Sequence, residues 1–332
     1  MSGPVLALVE HAAGEPDRLS LEALALGRRV AERRKAPLAA LVIGAEGRAF
    51  GPGLGAHGVG LVHVVESDRL TDYAPEAWAA ALAQLADTLG AAVVLAAGSD
   101  RGNEVMAYQA ARTGLPLAAN VLDVTQAAAG PDEPFLLTRQ RWAGSLIEES
   151  RLDAARRLLT VAPHGIAVDE RAGASPATVA AFAPTLSDRD LVVRVTGREA
   201  QAGGGISLTD AKVVIGGGRG VGSAAGFAEL EDLARLLGAA VGVSRAVTSA
   251  GWRPHTEQIG QTGQRIAPEL YIACGISGAI QHIVGCKASK RILAINPDGD
   301  APIMGVATYV VLGDLHAVVP AISAEIRRRQ GA

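Results

Sequence analysis

The chain has 332 residues, 49% hydrophobic, 20% charged and only 3% aromatic, with 40 glycines and 16 prolines spread along it. That balance fits an α/β protein of roughly two domains and excludes fibres, low-complexity chains and an aromatic platform for single-stranded nucleic acid. With 31 Lys and Arg against 34 Asp and Glu the formal charge is -3, so the cationic surplus that a nucleic-acid partner requires is missing.

Met1-Ser2-Gly3-Pro4 runs into an apolar strand without a basic leader and cleavage site, and no apolar run reaches the ~18 residues of a membrane span. A cytoplasmic chain that is not embedded in a membrane is therefore expected. Residues 5–9 read as a buried strand, 20–34 as an amphipathic helix and 38–43 as a second strand. Strands at 59–65 and 92–96 alternate with helices at 75–89 and 103–112, which predicts a Rossmann-like parallel sheet covered on both faces. Three short runs follow at 135–139, 145–150 and 158–161, each suited to antiparallel or edge pairing, so a hairpin appendage is expected. Gly203, Gly204 and Gly205 make 198–209 the most linker-like stretch, and the domains divide there into 1–197 and 210–332.

The second domain opens with an apolar strand at 212–215, the loop Gly216-Gly-Gly-Arg-Gly-Val-Gly-Ser223, and a helix with Phe227, Leu230, Leu233 and Leu237 on one face. Backbone amides in such a loop suit an anion, or the loop is a tight turn packing helix on strand; Arg219 inside it favours a ligand. Val221 and Ser223 stand where a third glycine of Gly-x-Gly-x-x-Gly would fall, and Ser223 replaces the lysine of a phosphate-binding P-loop. Ser244 and Arg245 follow the apolar run 239–243, where a strand's carboxyl end meets a ligand crevice. Gln258 and Ile259-Gly-Gln-Thr-Gly263 form a polar loop whose amides and hydroxyls can hydrogen-bond a heteroaromatic ring. A strand at 270–273 turns through Gly275, and Ser277-Gly278 is expected to begin a helix whose free N–H groups form a second anion site. His282, one turn further on, can donate to a ligand oxygen and offset developing negative charge. Asn296 and Asp314 end two more strands. The two cysteines, Cys274 and Cys286, have no spacing that suggests a metal, and no Ser/His/Asp set or nucleophile elbow is visible.

The run Ala267-Pro-Glu-Leu-Tyr-Ile-Ala-Cys-Gly-Ile-Ser-Gly-Ala-Ile-Gln-His282 resembles the signature of the electron-transfer flavoprotein alpha subunit family. The resemblance continues through Gly217-Gly-Arg-Gly220, Ser244-Arg245-Ala246, Gly260-Gln-Thr-Gly263, Ala294-Ile-Asn296 and Asp314-Leu315, and more weakly through Thr138-Arg139 and Ala143-Gly144. Departures fall at Ala225-Gly226, Pro297 and Thr308, away from the flavin motifs.

The resemblance implies a heterodimer with a beta subunit, itself carrying AMP or a second FAD. It also implies an FAD-binding second domain of the deoxyhypusine-synthase-like NAD/FAD-binding type. Arg245, over the ring system, would stabilise reduced, negatively charged flavin. Thr262 and Gln261 would meet the ring edge and His282 the pyrimidine carbonyl. Gln258, Ile259 and Gly260 complete that loop, and Ile280 and Gln281 lead into His282. Ser277, Gly278 and Ala279 would sit by the pyrophosphate with Arg219 and Ser244 nearby, while Asn296, Asp314 and Leu315 would hold the adenosine end. The implied function is an electron carrier that transforms no substrate itself. It would take electrons from flavin dehydrogenases such as the acyl-CoA dehydrogenases of fatty acid beta-oxidation and deliver them to a membrane quinone oxidoreductase. An electron-bifurcating, NADH-using complex, a stand-alone NAD-dependent enzyme and a nucleotide-binding regulator are the alternatives.

Overall fold

The computed structural model describes residues 3–126, 134–197, 207–209 and 211–331. The chain divides into two compact units, Met1–Glu199 and Ala200–Ala332. The expected 198–209 linker lies outside the described residues except for Ser207, Leu208 and Thr209.

The first unit holds a nine-stranded sheet. In spatial order its strands are Thr178–Phe182, Leu61–Val65, Leu38–Ile43, Val5–Val9, Val93–Ala97, Arg157–Val161, Leu117–Gln126, Phe135–Arg141 and Leu146–Leu152. The first seven are parallel and the last three form an antiparallel meander. Helices cover both faces, so the inner strands are apolar without alternation; every residue of Val5–Val9 and Leu38–Ile43 is buried. Helix Arg18–Arg34 starts at Asp17, whose carboxylate accepts from Leu19 N at 2.8 Å, and ends in Arg33 and Arg34, the cations its C-terminus favours.

Two expectations need correction here. The strand at 157–161 is not an edge or antiparallel element; it lies between Val93–Ala97 and Leu117–Gln126, parallel to both. Its residues are buried throughout, including Arg157, whose guanidinium lies 5.0 Å from the centre of the Phe135 ring. Burial on both faces, and not a short sequence run, marks a central parallel strand. Strands Leu117–Gln126 and Thr178–Phe182 were not expected. The first mixes Asn120 and Asp123 into an apolar run, and the second is a half-exposed edge, so neither has a clean period.

The second unit is a five-stranded parallel sheet in the order Ala240–Val243, Val213–Gly217, Leu270–Cys274, Ile292–Asn296, Tyr309–Leu312. Alternate side chains feed separate cores on its two faces. Val214, Tyr271 and Ala273 pack with Ile259 and Cys286, while Ile215, Ile272 and Cys274 pack with Phe227, Leu230 and Val319. The N-terminal parallel-sheet domain and the C-terminal α/β domain are thus both present.

Candidate functional site

In the second unit the first strand in sequence lies between the second and the third. The chain therefore leaves the carboxyl ends of the first strand, Val213–Gly217, and of the third, Leu270–Cys274, in opposite directions, which opens a crevice between them. A cavity of about 530 Å³ occupies that end of the sheet, lined by Arg219, Gly220, Ser244, Ala246, Gly275, Ser277, Asn296, Pro297, Asp298, Asp314 and Leu315. All five strand ends contribute to it.

Backbone hydrogen bonds sew these strand ends together. Gly218 N donates to Cys274 O at 2.9 Å, Gly220 N to Gly275 O at 3.0 Å, and Ser244 N to Gly217 O at 3.0 Å. Gly275 has φ +61, and a Cβ there would stand 2.8 Å from the Gly220 Cα, so only glycine brings the two loops this close. The Ser244 hydroxyl makes no capping bond within its own short helix, Arg245–Ser249. Asp314 caps helix Leu315–Gln330, accepting from His316 N at 3.0 Å.

Asn296 is only 8% exposed and is engaged on both sides: its amide nitrogen donates to Ile276 O at 2.9 Å, and its carbonyl accepts from Asp298 N at 3.0 Å. It lines the cavity chiefly by bracing two loops. Gln258 is similar, 3% exposed, accepting from Thr248 Oγ1 at 2.7 Å and donating to Thr262 Oγ1 at 3.1 Å. Its amide orients Thr262, which is itself exposed.

A second cluster joins the Gln258–Thr262 loop to the helix Ile280–Cys286. Gln261 N donates to Gln281 O at 2.8 Å, and Ile266 N to Gly285 O at 2.8 Å. A Cβ on Gly285 would meet Gly260 N at 2.4 Å, so loop and helix are in backbone contact. The helix does not begin at Ser277-Gly278, as expected. It spans Ile280–Cys286 with Ala279 at its N-cap, because Gly278 has φ +82 and is turned away from helical geometry. The loop Ser277, Gly278, Ala279 therefore presents amides ahead of the helix, not as its first turn.

His282 is 6% exposed, and burial pushes its pKa down to about 4, so the imidazole is neutral at physiological pH. Its Nε2 lies 2.8 Å from the hydroxyl of Tyr271, a residue the sequence reading did not single out. The two thiols, Cys274 and Cys286, are buried and pushed up to about 12, which leaves them protonated and unreactive.

The crevice thus brings together Arg219, Ser244, Ser277, Asn296, Asp314 and Leu315. Arg245, the Gln258–Thr262 loop and the Ala279–His282 segment do not line it. They adjoin it through chain continuity at Ser244-Arg245-Ala246 and Ser277-Gly278-Ala279. Arg245, Gln261, Thr262, Ile280 and Gln281 are exposed, and Ile280 is an apolar side chain 71% open to solvent. Asp298, at the strand end that Asn296 opens, also lines the crevice, and Thr248, which donates to Gln258, was not foreseen. Among the described residues no group of three or more His, Cys, Asp or Glu could hold a metal ion.

Residues 5–187 match the electron transfer flavoprotein domain, and residues 207–287 match the electron transfer flavoprotein FAD-binding domain. The chain belongs to the electron transfer flavoprotein alpha subunit family. It is 39% identical to an electron transfer flavoprotein subunit alpha of Mycobacterium tuberculosis, over 98% of this chain and 99% of that one. It is 31% identical to the Bacillus subtilis subunit alpha, over 99% and 98% of the two chains. It is 34% identical to the protein FixB of Bradyrhizobium diazoefficiens, over 98% and 89%. The second unit accordingly carries a flavin-binding domain, and the family implies a beta-subunit partner.

The residues present suit FAD. The backbone amides of Ser277, Gly278 and Ala279, ahead of the helix, with the Ser244 and Ser277 hydroxyls and Arg219, suit the donors a pyrophosphate accepts. Asp298 and Asp314 offer acceptors for sugar hydroxyls, and the Gln258–Thr262 loop offers polar groups for a ring edge. Among the described residues no helix is long and apolar enough to cross a membrane.

Proposed function

We propose that this chain is the FAD-holding subunit of a cytoplasmic heterodimeric carrier, taking electrons from flavin dehydrogenases, acyl-CoA dehydrogenases among them, and delivering them to a membrane quinone oxidoreductase. The observation that carries the reading is the convergence of all five strand ends on one crevice lined by Arg219, Ser244 and Ser277, within a flavin-binding domain.

FAD, when bound, supplies the electron chemistry; the protein binds it and tunes its charge. Arg219, the hydroxyls of Ser244 and Ser277, and the amides of Gly278 and Ala279 hold the pyrophosphate. Asp314 and Leu315 hold the adenosine end, while Asn296 braces the two loops that shape it. Arg245 places a cation beside the ring, and Thr262, oriented by Gln258, and Gln261 meet the ring edge. The Ala279–Gln281 segment delivers His282, whose neutral imidazole is a hydrogen-bond donor where negative charge collects on reduction. The beta subunit carries AMP.

The test is flavin content and stepwise reduction of the chain co-purified with its beta subunit. One FAD per heterodimer and no NADH oxidation is the expected result. Two FADs with NADH oxidation replaces it with the bifurcating complex, and a colourless protein after reconstitution with FAD overturns the flavin assignment.

A further inference from the structure

Tyr271 is fully buried in strand Leu270–Cys274, and its hydroxyl meets His282 Nε2 at 2.8 Å. The two residues stand on opposite sides of the Gly275–Ala279 turn, so this bond ties the strand to the helix that carries His282. Both groups remain neutral. Burial raises the Tyr271 phenol well above its ordinary value and lowers His282 to about 4. The other titratable groups beside the phenol, Cys274 and Cys286, are protonated thiols.

A neutral pair has two ways to share its protons. If Nε2–H donated to the phenol oxygen, the phenol hydrogen would be buried with no acceptor, because His282 is the only hydrogen-bond partner of that hydroxyl among the described residues. The Nδ1 lone pair would also be stranded, since Nδ1 is buried and makes no well-formed hydrogen bond. If the phenol donates to Nε2, the phenol hydrogen is satisfied and the imidazole proton sits on Nδ1, so the pair leaves one unpartnered group, the Nδ1–H, where the other arrangement leaves two.

We infer that Tyr271 is a positioning residue for His282: its hydroxyl donates to Nε2, and so makes Nδ1 the atom that carries the proton and donates. The consequence for flavin rests on the reading given under Proposed function; the tautomer itself does not. Gly216 fits the same design, because a Cβ there would fall 2.1 Å from the Tyr271 oxygen. Only glycine leaves the phenol room to reach His282.

The experiment is nitrogen NMR of the His282 ring in the full chain with its beta subunit, labelled with 15N-histidine, before and after addition of FAD. The wild type is expected to show the Nδ1–H tautomer in roughly tenfold or greater excess, the ratio one buried hydrogen bond sustains. In Tyr271→Phe the ratio should fall toward parity in a protein that stays folded, and the reduction potential of bound FAD should drop. A wild-type ring protonated at Nε2, or an unchanged ring in Tyr271→Phe, overturns the inference.

Should that variant not fold, 3-fluorotyrosine in place of the chain's 4 tyrosines keeps every side chain and makes the phenol a stronger donor. A shift of the His282 Nε2 resonance then supports the bond, and its absence overturns it. A tautomer that responds in a protein that takes up no FAD sustains the inference while removing the flavin reading.

Discussion

Arg245 is exposed at the start of a five-residue helix, and its value lies in charge at a fixed place, not in packing. Arg245→Ala is expected to leave the fold intact and to lower the potential of bound FAD by the equivalent of about 1 kcal/mol, roughly 20 mV for a two-electron couple. An unchanged potential in a spectroelectrochemical titration removes Arg245 from the tuning.

Two buried titratable groups act on stability with opposite sign. Glu22, on helix Arg18–Arg34, is pushed up to about 7 by burial, against the pull of Arg18. Because its folded pKa lies above its unfolded one, its contribution is complete below about pH 4.5 and is lost as pH rises through 7, by up to roughly 3 kcal/mol. Glu22→Gln should therefore stabilise at pH 8 and be near neutral at pH 4 in urea unfolding. His282, depressed to about 4, contributes stability above pH 6.5 that is lost as pH falls through 4. His282→Asn should flatten that acid limb.

At the scale of elements, the site depends on two turns that hold a loop against a helix. Gly285 sits inside helix Ile280–Cys286, where alanine would be the better helix former, yet the space for its Cβ is taken by the Gly260 backbone. Gly285→Ala must push the Gln258–Thr262 loop away, since backbone cannot rotate aside. A loss of about 1–3 kcal/mol is expected, with FAD content falling alongside. Full FAD content in a folded Gly285→Ala protein would show that loop and helix need not touch for binding.

Over the whole molecule, the two units treat the same structural opportunity differently. The first unit also has a topological switch point, between Val5–Val9 and Val93–Ala97. There Glu10 is 7% exposed and accepts from Ser99 Oγ at 2.5 Å, while Ser99 caps helix Asp100–Thr113. A carboxylate of the chain itself thus stands where an anionic ligand would approach. In the second unit the corresponding crevice is lined by Arg219 and the hydroxyls of Ser244 and Ser277 as well as by the carboxylates of Asp298 and Asp314. FAD at a hundredfold excess over its Kd should add about 2.7 kcal/mol to the unit holding residues 207–287. Calorimetry that shows FAD shifting only the transition of the first unit would contradict this division.

Legibility in the sequence followed the range of the interactions. Strand–glycine loop–helix runs are local, so the five strands of the second unit and the residues at their carboxyl ends could be read without a structure. Ser244, Ser277 and Asp314 were found for that reason. Strand 157–161 was misplaced because its neighbours, 93–97 and 117–126, are distant in sequence, and nothing local distinguishes a central strand from an edge.

The same limit applies to side chains. His282 is conspicuous because it ends a glycine-rich turn, but its partner Tyr271 looks like any apolar strand residue until the fold brings the hydroxyl to Nε2. Asn296 and Gln258 read as ligand contacts, and that each also braces neighbouring loops is visible only in the folded backbone, which shows which polar groups meet. The sequence by itself determined where the chain could present anion-binding turns, because φ preference and helix termini are properties of a few consecutive residues. The tertiary structure decided which turns meet and which polar atoms remain for a ligand, because both depend on strand order and on pairings across the sheet.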